Sequence, residues 1–367
     1  MKNISFLSPP RITTTDYIII GGGLAGCMLA WMLHTRGKRF LLLDTPHKSN
    51  ASRISAGIIN PITGKRFSPF WDSQSVMESA LKAYSTLERQ FGKTFLREIT
   101  ALRLFTDTEE RDLWFSKRAS TLTFAEYLPQ ESISGDIRQQ HGGIRYGAWH
   151  LDVEQLVRTL RTWLEAEGCL RNETYNSEST IFSSESVIVE TETECFSAQH
   201  IIFANGWKTL ETSLWKDLPL SPAKGELLTV QAERVPEEML VHGVFVLPLD
   251  NSTLRIGASY SWEELDDTPT PNTASALIAQ AQEIFPVPMT LLRHDAGVRP
   301  AAQDSKPILG VHPVEPRCAV FNGFGSKGAV YTPYCAEALV DFFEEAKPLA
   351  AWCALTRWKA WRGSAEF

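Results

Sequence analysis

The chain has 367 residues, a formal net charge of −7 and a hydrophobic content of 43%. A chain of this length can form two domains with separate cores, and no apolar run approaches the roughly 18 residues of a membrane-spanning helix. The acidic balance argues against an extended nucleic-acid surface, which would need clustered Lys and Arg, and leaves room only for a local basic pocket, so nucleic acid is not expected as a partner.

The N-terminal segment and the cysteines both favour a cytoplasmic protein. The segment MKNISFLSPPRITTT (residues 1–15) carries two prolines and lacks the apolar core of a signal peptide. No C-x-x-C pair occurs, which fits free thiols in a reducing compartment better than a disulfide framework or a zinc site, so no metal is expected. The six cysteines are Cys27, Cys169, Cys195, Cys318, Cys335 and Cys353.

A strand, a helix and a second strand are predicted at the start of the chain. The apolar run YIII (residues 17–20) predicts the first strand, and the helical spacing of LAGCMLAWMLHTRG (residues 24–37) predicts a helix that ends at Gly37. A second apolar run, residues 40–43, ends in Asp44. These elements form a βαβ unit with a parallel pair of strands, which is where a dinucleotide site begins.

The glycines between the first strand and the helix have the spacing of a dinucleotide-binding loop. Gly21, Gly23 and Gly26 follow the pattern G-x-G-x-x-G, and Asp44 lies roughly 20 residues further on. Gly21 allows the tight turn, Gly23 lets the backbone approach a pyrophosphate, and Gly26 permits close packing of the helix. Asp44 can accept hydrogen bonds from ribose hydroxyls. The motif leaves three interpretations open: an NAD site, an FAD site and an ordinary glycine-rich turn.

Two amphipathic helices are predicted in the middle of the chain. The first has apolar residues at helical spacing over residues 76–91 and ends before Gly92. The second follows Asp152, which forms a capping box with Gln155, and ends at Gly168. Strands are predicted at SVIVET (residues 186–191), at HIIFA (residues 200–204) and in an antiparallel sheet over residues 224–260.

A second glycine-rich loop precedes a helix near the C-terminus. The loop NGFGSKG (residues 322–328) presents bare backbone N–H groups and the positive end of a helix, which attract negative charge. Thr332 followed by Pro333 offers another start for this helix, with Thr332 as the cap and proline at the first helical position. The loop is expected to face a negatively charged group.

Five motifs follow one another along the chain: GGGLAG (residues 21–26), SRISAGIINP (52–61), HIIFANG (200–206), GVRPAAQDSKPILG (297–310) and NGFGSKG (322–328). In this order they resemble the D-amino-acid oxidase family of FAD-dependent oxidoreductases. That family includes glycine oxidase, sarcosine oxidase and the FAD domain of the enzyme that modifies the wobble uridine of tRNA. The resemblance covers residues 14–345 and is weakest between 75 and 145. Two departures are Asp44, where the family more often has glutamate, and Asn205, where threonine or alanine is commoner.

The resemblance implies FAD as the cofactor and an α/β fold with two parts. A Rossmann-type FAD-binding domain with a mainly parallel sheet is expected from residues 14–73, 146–212 and 296–345. A substrate or cap domain with an antiparallel sheet and helices (α+β) is expected from residues 74–145 and 213–295. Residues 346–367 are expected to form a C-terminal tail.

The resemblance also implies which residues contact FAD. The expected contacts are Gly21, Gly23, Leu24, Ala25, Gly26 and Asp44 at the dinucleotide end; Ser52, Arg53, Ser55, Ala56 and Gly57 along the ribityl diphosphate and the flavin edge; Ala204, Asn205 and Gly206 at a strand end; and Arg299, Gly323, Phe324, Gly325, Ser326, Lys327 and Gly328 at the ring. Arg53 either offsets diphosphate charge or lies on the surface of a solvated loop. Lys65 and Arg66 face either substrate or water.

Three side chains are candidates for the catalytic centre: Arg299, Lys327 and Tyr260. The guanidinium of Arg299 can hold a substrate carboxylate with two parallel hydrogen bonds, or it forms a structural salt bridge, for example with Asp304. Lys327 either stabilises negative charge on the pyrimidine edge of the reduced flavin, lines the substrate pocket or is exposed to solvent. Tyr260, like Tyr331, either covers the pocket and contacts substrate or belongs to the core or rim.

The resemblance implies an amino-acid-oxidase type of enzyme, an FAD-dependent oxidoreductase that removes hydride from the C–N bond of a small carboxylated amine. The substrate is expected to be an amino acid or an N-substituted glycine, and oxygen or another electron acceptor reoxidises the flavin. The alternatives are a dehydrogenase of the same fold with a non-oxygen acceptor, and a flavin-binding protein without catalysis. The acidic balance disfavours tRNA as a substrate.

Overall fold

The computed structural model describes residues 12–45, 50–64, 66–69, 72–359 and 361. Lys65, which is predicted to face substrate or water, lies outside these residues. In the described part of the chain, no helix is long and apolar enough to cross a membrane.

Six α-helices and 21 strands form in the described ranges. The helices are α1 Leu24–Thr35, α2 Ser73–Phe91, α3 Thr108–Thr121, α4 Val153–Ala166, α5 Pro271–Ile284 and α6 Gly328–Glu345. The strands are β1 Ile12–Thr14, β2 Tyr17–Ile20, β3 Phe40–Leu43, β4 Ile58–Ile59, β5 Ile62–Thr63, β6 Ser68–Pro69, β7 Leu96–Leu104, β8 Glu126–Leu128, β9 Gly143–Leu151, β10 Leu170–Arg171, β11 Thr180–Phe182, β12 Val187–Glu190, β13 Cys195–Ala198, β14 His200–Phe203, β15 Ala223–Ala232, β16 Met239–His242, β17 Val244–Pro248, β18 Thr253–Gly257, β19 Met289–Arg299, β20 Ile308–Val311 and β21 Cys318–Asn322.

A six-stranded sheet in the order β10-β3-β2-β14-β21-β20 carries the first glycine loop. Its strands run parallel except β20, which pairs antiparallel with β21. Every residue of β2 and β3 is buried because both faces of the sheet are covered, which explains their unbroken apolar runs. Helices α1, α4 and α6 pack on one face, and the small sheet β1-β13-β12-β11 packs on the other. The predicted parallel strands and the α/β fold class are confirmed.

A nine-stranded sheet in the order β19-β15-β18-β17-β16-β7-β9-β4, with β8 beside β9, forms the second large layer. Its neighbouring strands are antiparallel except β16 and β7, which are parallel. Helix α5 covers one face of this sheet, where Leu277 joins Leu228 and Val230 in a buried cluster. The predicted antiparallel sheet over residues 224–260 is confirmed, and it extends to β7, β9 and β4.

The strands of the two large sheets alternate along the chain. Strands β2 and β3 belong to the six-stranded sheet, β4 to β9 include members of the nine-stranded sheet, and the chain then returns to β10 and β14 before it leaves again for β15 to β19. Strands β20 and β21 complete the six-stranded sheet. The sequence boundaries proposed for the two domains stay a prediction.

The predicted helix ends match the structure, except that the reciprocal hydrogen bond of the capping box is not formed, because the Asp152 N–H donates to the Phe95 carbonyl at 2.8 Å. Asp152 caps α4, since its Oδ1 accepts a hydrogen bond of 2.8 Å from the backbone N–H of Gln155. Gly37, Gly92 and Gly168 follow α1, α2 and α4 with φ of 66°, 62° and 68°, a region that favours glycine. These three C-terminal predictions are confirmed.

Helix α6 begins at Gly328, so the alternative start after Thr332 is wrong. The Thr332 hydroxyl instead donates to the Gly328 carbonyl at 2.7 Å, and Pro333 lies inside the helix. Proline has no N–H to donate to the carbonyl four residues earlier, which is that of Ala329. This carbonyl accepts from the Tyr84 hydroxyl of α2 at 2.5 Å, so a side chain replaces the missing helical hydrogen bond.

The segment after α6, which is predicted to be a tail, packs against the six-stranded sheet. Trp352, Cys353 and Leu355 are buried, and the backbone N–H of Leu309 donates to the Cys353 carbonyl at 2.9 Å. Asp304 is held here by a two-pronged contact from Arg357, with distances of 2.8 and 3.0 Å. Asp304 also accepts from the Lys306 N–H at 3.1 Å, so its side chain stabilises the turn before β20.

Candidate functional site

A cavity of about 900 Å³ lies between the carboxyl ends of the parallel strands and the nine-stranded sheet. Its lining draws on all five motifs, from Gly21 after β2 to Thr332 in α6. Ligands of open parallel sheets bind at this end of the strands. The predicted residues that line it are Gly21, Gly23, Leu24, Ala25, Asp44, Ser52, Ser55, Ala56, Gly57, Ala204, Asn205, Gly206, Tyr260, Arg299, Phe324, Gly325, Ser326, Lys327 and Gly328.

Three predicted residues do not line the cavity. Gly26 lies below it in the first turn of α1, and Gly323 packs against Ile308. The Arg53 side chain is 53% exposed and reaches Glu154, with 3.4 Å between Nε and Oε1. Its surface position matches the interpretation in which the loop is solvated at this residue.

The first glycine loop is packed too closely for side chains. Gly21 has φ of 105°, and a Cβ added there would lie 2.6 Å from the Asn205 Cα. A Cβ on Gly26 would overlap the Gly21 carbonyl oxygen. The start of α1 therefore sits directly against the turn, and the positive N-terminal end of the helix points toward the cavity end of the sheet. This cradle fits a diphosphate.

The Ser52–Gly57 loop is fixed against the glycine loop and against the sheet above it. The Ser52 hydroxyl accepts from the Leu24 N–H at 2.9 Å, and Gly57 has φ of 64° where a Cβ would overlap the Leu151 carbonyl oxygen. Arg255, which is buried, donates to the Ile54 carbonyl at 2.8 Å. Backbone therefore runs along this side of the cavity, as expected for a loop that approaches a planar ring.

The second glycine loop is held by side chains and backbone on both sides. Asn322 donates to the Gly206 carbonyl at 2.8 Å and to the Thr209 hydroxyl at 2.7 Å, which ties the loop to the end of β14. The Gly325 N–H donates to the Pro300 carbonyl at 3.0 Å. The loop and the start of α6 thus form a rigid edge of the cavity.

Lys327 in this loop is half-buried in the cavity wall. Its ammonium has no hydrogen-bond or ion-pair partner among the residues that the structure describes. Burial lowers the pKa of Lys327 below its ordinary value. The interpretation as a solvent-exposed turn residue does not fit this position.

Arg299, at the end of β19, presents a guanidinium to the cavity. Its Nη1 lies 3.2 Å from the Ser259 carbonyl, and its Cζ lies 4.2 Å from the centre of the Tyr260 ring. A Cβ on Gly225 would overlap the guanidinium, so the glycine makes room for it. Burial lowers the pKa of Arg299, although an arginine keeps its charge.

No carboxylate in the described ranges pairs with Arg299. The alternative salt bridge to Asp304 is not formed, because Asp304 pairs with Arg357. Arg299 is therefore a mostly buried cation whose contacts are backbone carbonyls and an aromatic ring.

The two candidate tyrosines occupy different environments. Tyr260 is 54% exposed, covers Arg299 at the rim of the cavity and stacks on Trp262 with 6.2 Å between ring centres. Tyr331 is 1% exposed and packs on Trp352 behind α6. Tyr331 belongs to the core, as the second of its two interpretations has it.

Two arginines at the site have no sequence motif that would reveal them. Arg255 supports the Ile54 carbonyl, and Arg161 of α4 binds the Asp44 carboxylate with 2.5 Å between Nη1 and Oδ2. The amphipathic pattern of α4 places Arg161 on the partly buried side of the helix, but this pattern does not identify its partner.

A parallel sheet that ends in two glycine-rich loops over one cavity is the architecture of a dinucleotide-dependent enzyme. The model of the family described as FAD dependent oxidoreductase (DAO) matches residues 16–342 of this chain. The chain belongs to that family, and its cofactor is FAD. The closely packed glycine turn fits the diphosphate of FAD, and the backbone of the Ser52–Gly57 loop fits a planar ring.

Two relatives and a solved structure are similar to this chain over about nine tenths of its length. The bifunctional protein ThiO/ThiG of Trichormus variabilis is 24% identical over 91% of this chain, which spans only 53% of that protein. Glycine oxidase of Pseudomonas aeruginosa is 24% identical over 90% of this chain and 95% of its own length. The structure of iminodiacetate oxidase from Chelativorans sp. BNC1 has a TM-score of 0.79 at 20% identity, covering 92% of this chain and 98% of the other. The chain thus spans about half of the bifunctional relative and nearly all of glycine oxidase.

Proposed function

We propose that this oxidoreductase acts on the C–N bond of a small carboxylated amine, either an amino acid or an N-substituted glycine. The observation that carries the proposal is the Arg299 guanidinium, which is mostly buried and faces no carboxylate of the described residues. A buried cation is costly unless an anion accompanies it, and a substrate carboxylate supplies that anion. Glycine oxidase and iminodiacetate oxidase, by their names, act on carboxylated amines.

The residues of the chain bind and orient this substrate. Arg299 holds the carboxylate with two parallel donors, which fixes the carbon next to the nitrogen within the cavity. The apolar side chains of Leu227, Met239 and Phe245 line the same cavity and exclude water, so the electrostatic contacts inside it are strengthened. Bound FAD would supply the two-electron acceptor for a hydride from the carbon next to the nitrogen.

An anaerobic substrate screen tests the proposal. The holoenzyme is mixed with amino acids and N-alkyl glycines under nitrogen, and flavin absorbance is followed. We expect bleaching with one or more carboxylated amines and none with the corresponding amines that lack the acid group. Bleaching by the acid-free amines alone would contradict the carboxylate, and no bleaching by any amine would favour a binding protein without catalysis.

We propose the cytoplasm as the location of this protein. All six cysteines lie in the described ranges as free thiols, which supports a reducing compartment.

We propose oxygen as the electron acceptor. Oxygen uptake during turnover separates an oxidase from the second candidate, a dehydrogenase of the same fold. A dehydrogenase would bleach in the anaerobic screen but consume no oxygen afterwards.

Lys327→Met is expected to slow flavin reduction roughly tenfold or more while FAD remains bound, since a preorganised positive charge near developing negative charge lowers the barrier. Stopped-flow absorbance at saturating substrate measures the reduction rate. Lys82→Met, at an exposed position of α2, is the matched control and should leave the rate unchanged. An unchanged rate in Lys327→Met would show that the ammonium only lines the cavity.

A further inference from the structure

The Asp44 carboxylate at the dinucleotide end of the cavity is already bound by an arginine. Arg161 Nη1 lies 2.5 Å from Asp44 Oδ2 and 3.2 Å from the Gly22 carbonyl oxygen. Arg161 Nη2 lies 3.4 Å from Asn172 Oδ1. The side chains of Arg161 and Asp44 are only 20% and 14% exposed. One charge-assisted contact therefore holds the carboxylate in a partly desolvated site.

Arg161 also explains why a glycine occupies a position at which the binding motif accepts any residue. In G-x-G-x-x-G, Gly22 occupies a variable position. A Cβ at Gly22 would overlap Arg161 Nη1 and lie 2.8 Å from Asp44 Oδ2. The guanidinium thus fills the space next to the loop, and the absence of a side chain at Gly22 allows it to do so.

The two oxygens of the Asp44 carboxylate have different surroundings. Asp44 lines the cavity, whereas Arg161 is not among the lining residues. Oδ2 is occupied by Arg161, and no described residue donates a hydrogen bond to Oδ1. Oδ1 is thus available as an acceptor for a ligand, and the ion pair prevents the short aspartate side chain from rotating away.

We propose that Arg161 is a positioning residue for the adenosine end of FAD. It fixes the Asp44 carboxylate in the orientation that accepts from the ribose, and it offsets the negative charge of Asp44 close to the diphosphate. Both effects act through Asp44. The proposal depends on FAD as the cofactor and is independent of which amine is oxidised.

Equilibrium binding of flavins to the apoprotein tests this role. We expect Arg161→Met to weaken the binding of FAD roughly tenfold or more, because one charge-assisted contact in a partly buried site is lost. The affinity for FMN should change by less than about twofold, since FMN lacks the adenosine. Arg161→Lys should restore part of the FAD affinity. Arg158 is exposed on the same helix, so Arg158→Met is the control and should leave the affinity for both flavins unchanged. Protein fluorescence or flavin quenching reports the dissociation constants.

A double-mutant cycle with Asp44→Asn decides whether Arg161 acts through Asp44. In the Asp44→Asn background, we expect Arg161→Met to change FAD affinity by less than about twofold. A loss that persists undiminished in that background, or an equal loss for FMN and FAD in the single variant, would overturn the proposal. If Arg161→Met does not fold, as judged by circular dichroism, Arg161→Lys and Arg161→Gln carry the same cycle.

Discussion

Arg299→Lys is expected to weaken the binding of a carboxylated amine by roughly tenfold to more than a hundredfold while FAD stays bound. Lysine keeps the positive charge but presents one ammonium in place of the planar fork, so it cannot make two parallel hydrogen bonds to a carboxylate. The fork is already supported in the free protein by the Ser259 carbonyl and the Tyr260 ring. Lysine would lose this support as well.

Anaerobic stopped-flow titration with the substrate found in the screen measures this loss. The concentration dependence of the flavin reduction rate gives the dissociation constant separately from the limiting rate. Arg158→Lys, a surface substitution on α4, serves as the control for the change of residue type. Unchanged affinity for every active amine in Arg299→Lys would show that no carboxylate binds here.

Gly26→Ala is expected to abolish retention of FAD during purification. A Cβ at this position would overlap the Gly21 carbonyl oxygen and lie 3.0 Å from the Gly21 carbonyl carbon. Both neighbours are backbone atoms of the phosphate-binding turn, so the turn or the whole of α1 must move. Inserting one methyl group into a close-packed site costs roughly 1 to 3 kcal/mol, and here the displaced atoms form the cofactor cradle itself.

The ratio of flavin to protein absorbance after gel filtration, together with the melting temperature, measures this effect. Gly135→Ala is the matched control, because Gly135 has no atom within 4 Å of the added Cβ and lies outside the left-handed region. The control should keep both its flavin and its melting temperature. A full complement of FAD in Gly26→Ala would mean that α1 packs less closely on the turn than the structure has it.

Features that depend on residues close together in the chain were predictable from the sequence. The glycine loops, the capping of α4 by Asp152 and the αL residues after three helices depend on backbone conformation and short-range hydrogen bonds, so they leave local patterns. The parallel pair β2 and β3 and the strand β14 followed from apolar runs. The family resemblance then added the placement of Arg299 beside the cavity, which no local pattern contains.

Features that join distant parts of the chain were not predictable. Arg161 is 117 residues from Asp44, and Arg255 is 201 residues from the Ile54 carbonyl that it supports. An arginine at such a position has the same local pattern whether it faces water or an ion-pair partner. The start of α6 was ambiguous for a related reason, since Pro333 lies inside the helix and the carbonyl that it leaves without an N–H donor accepts from Tyr84 of the distant helix α2.

The alternation of strands between the two large sheets governs the order in which the protein can be completed during its synthesis. Strand β14 lies between β2 and β21 in the six-stranded sheet, and β21 is made more than a hundred residues after β14. Until β21 and α6 emerge from the ribosome, β14 has a bare edge and α1 lacks its packing against α6, although α4 is already available beside it. A nascent chain in this state exposes apolar surface and an unpaired strand, and FAD cannot be enclosed before its last loop is translated.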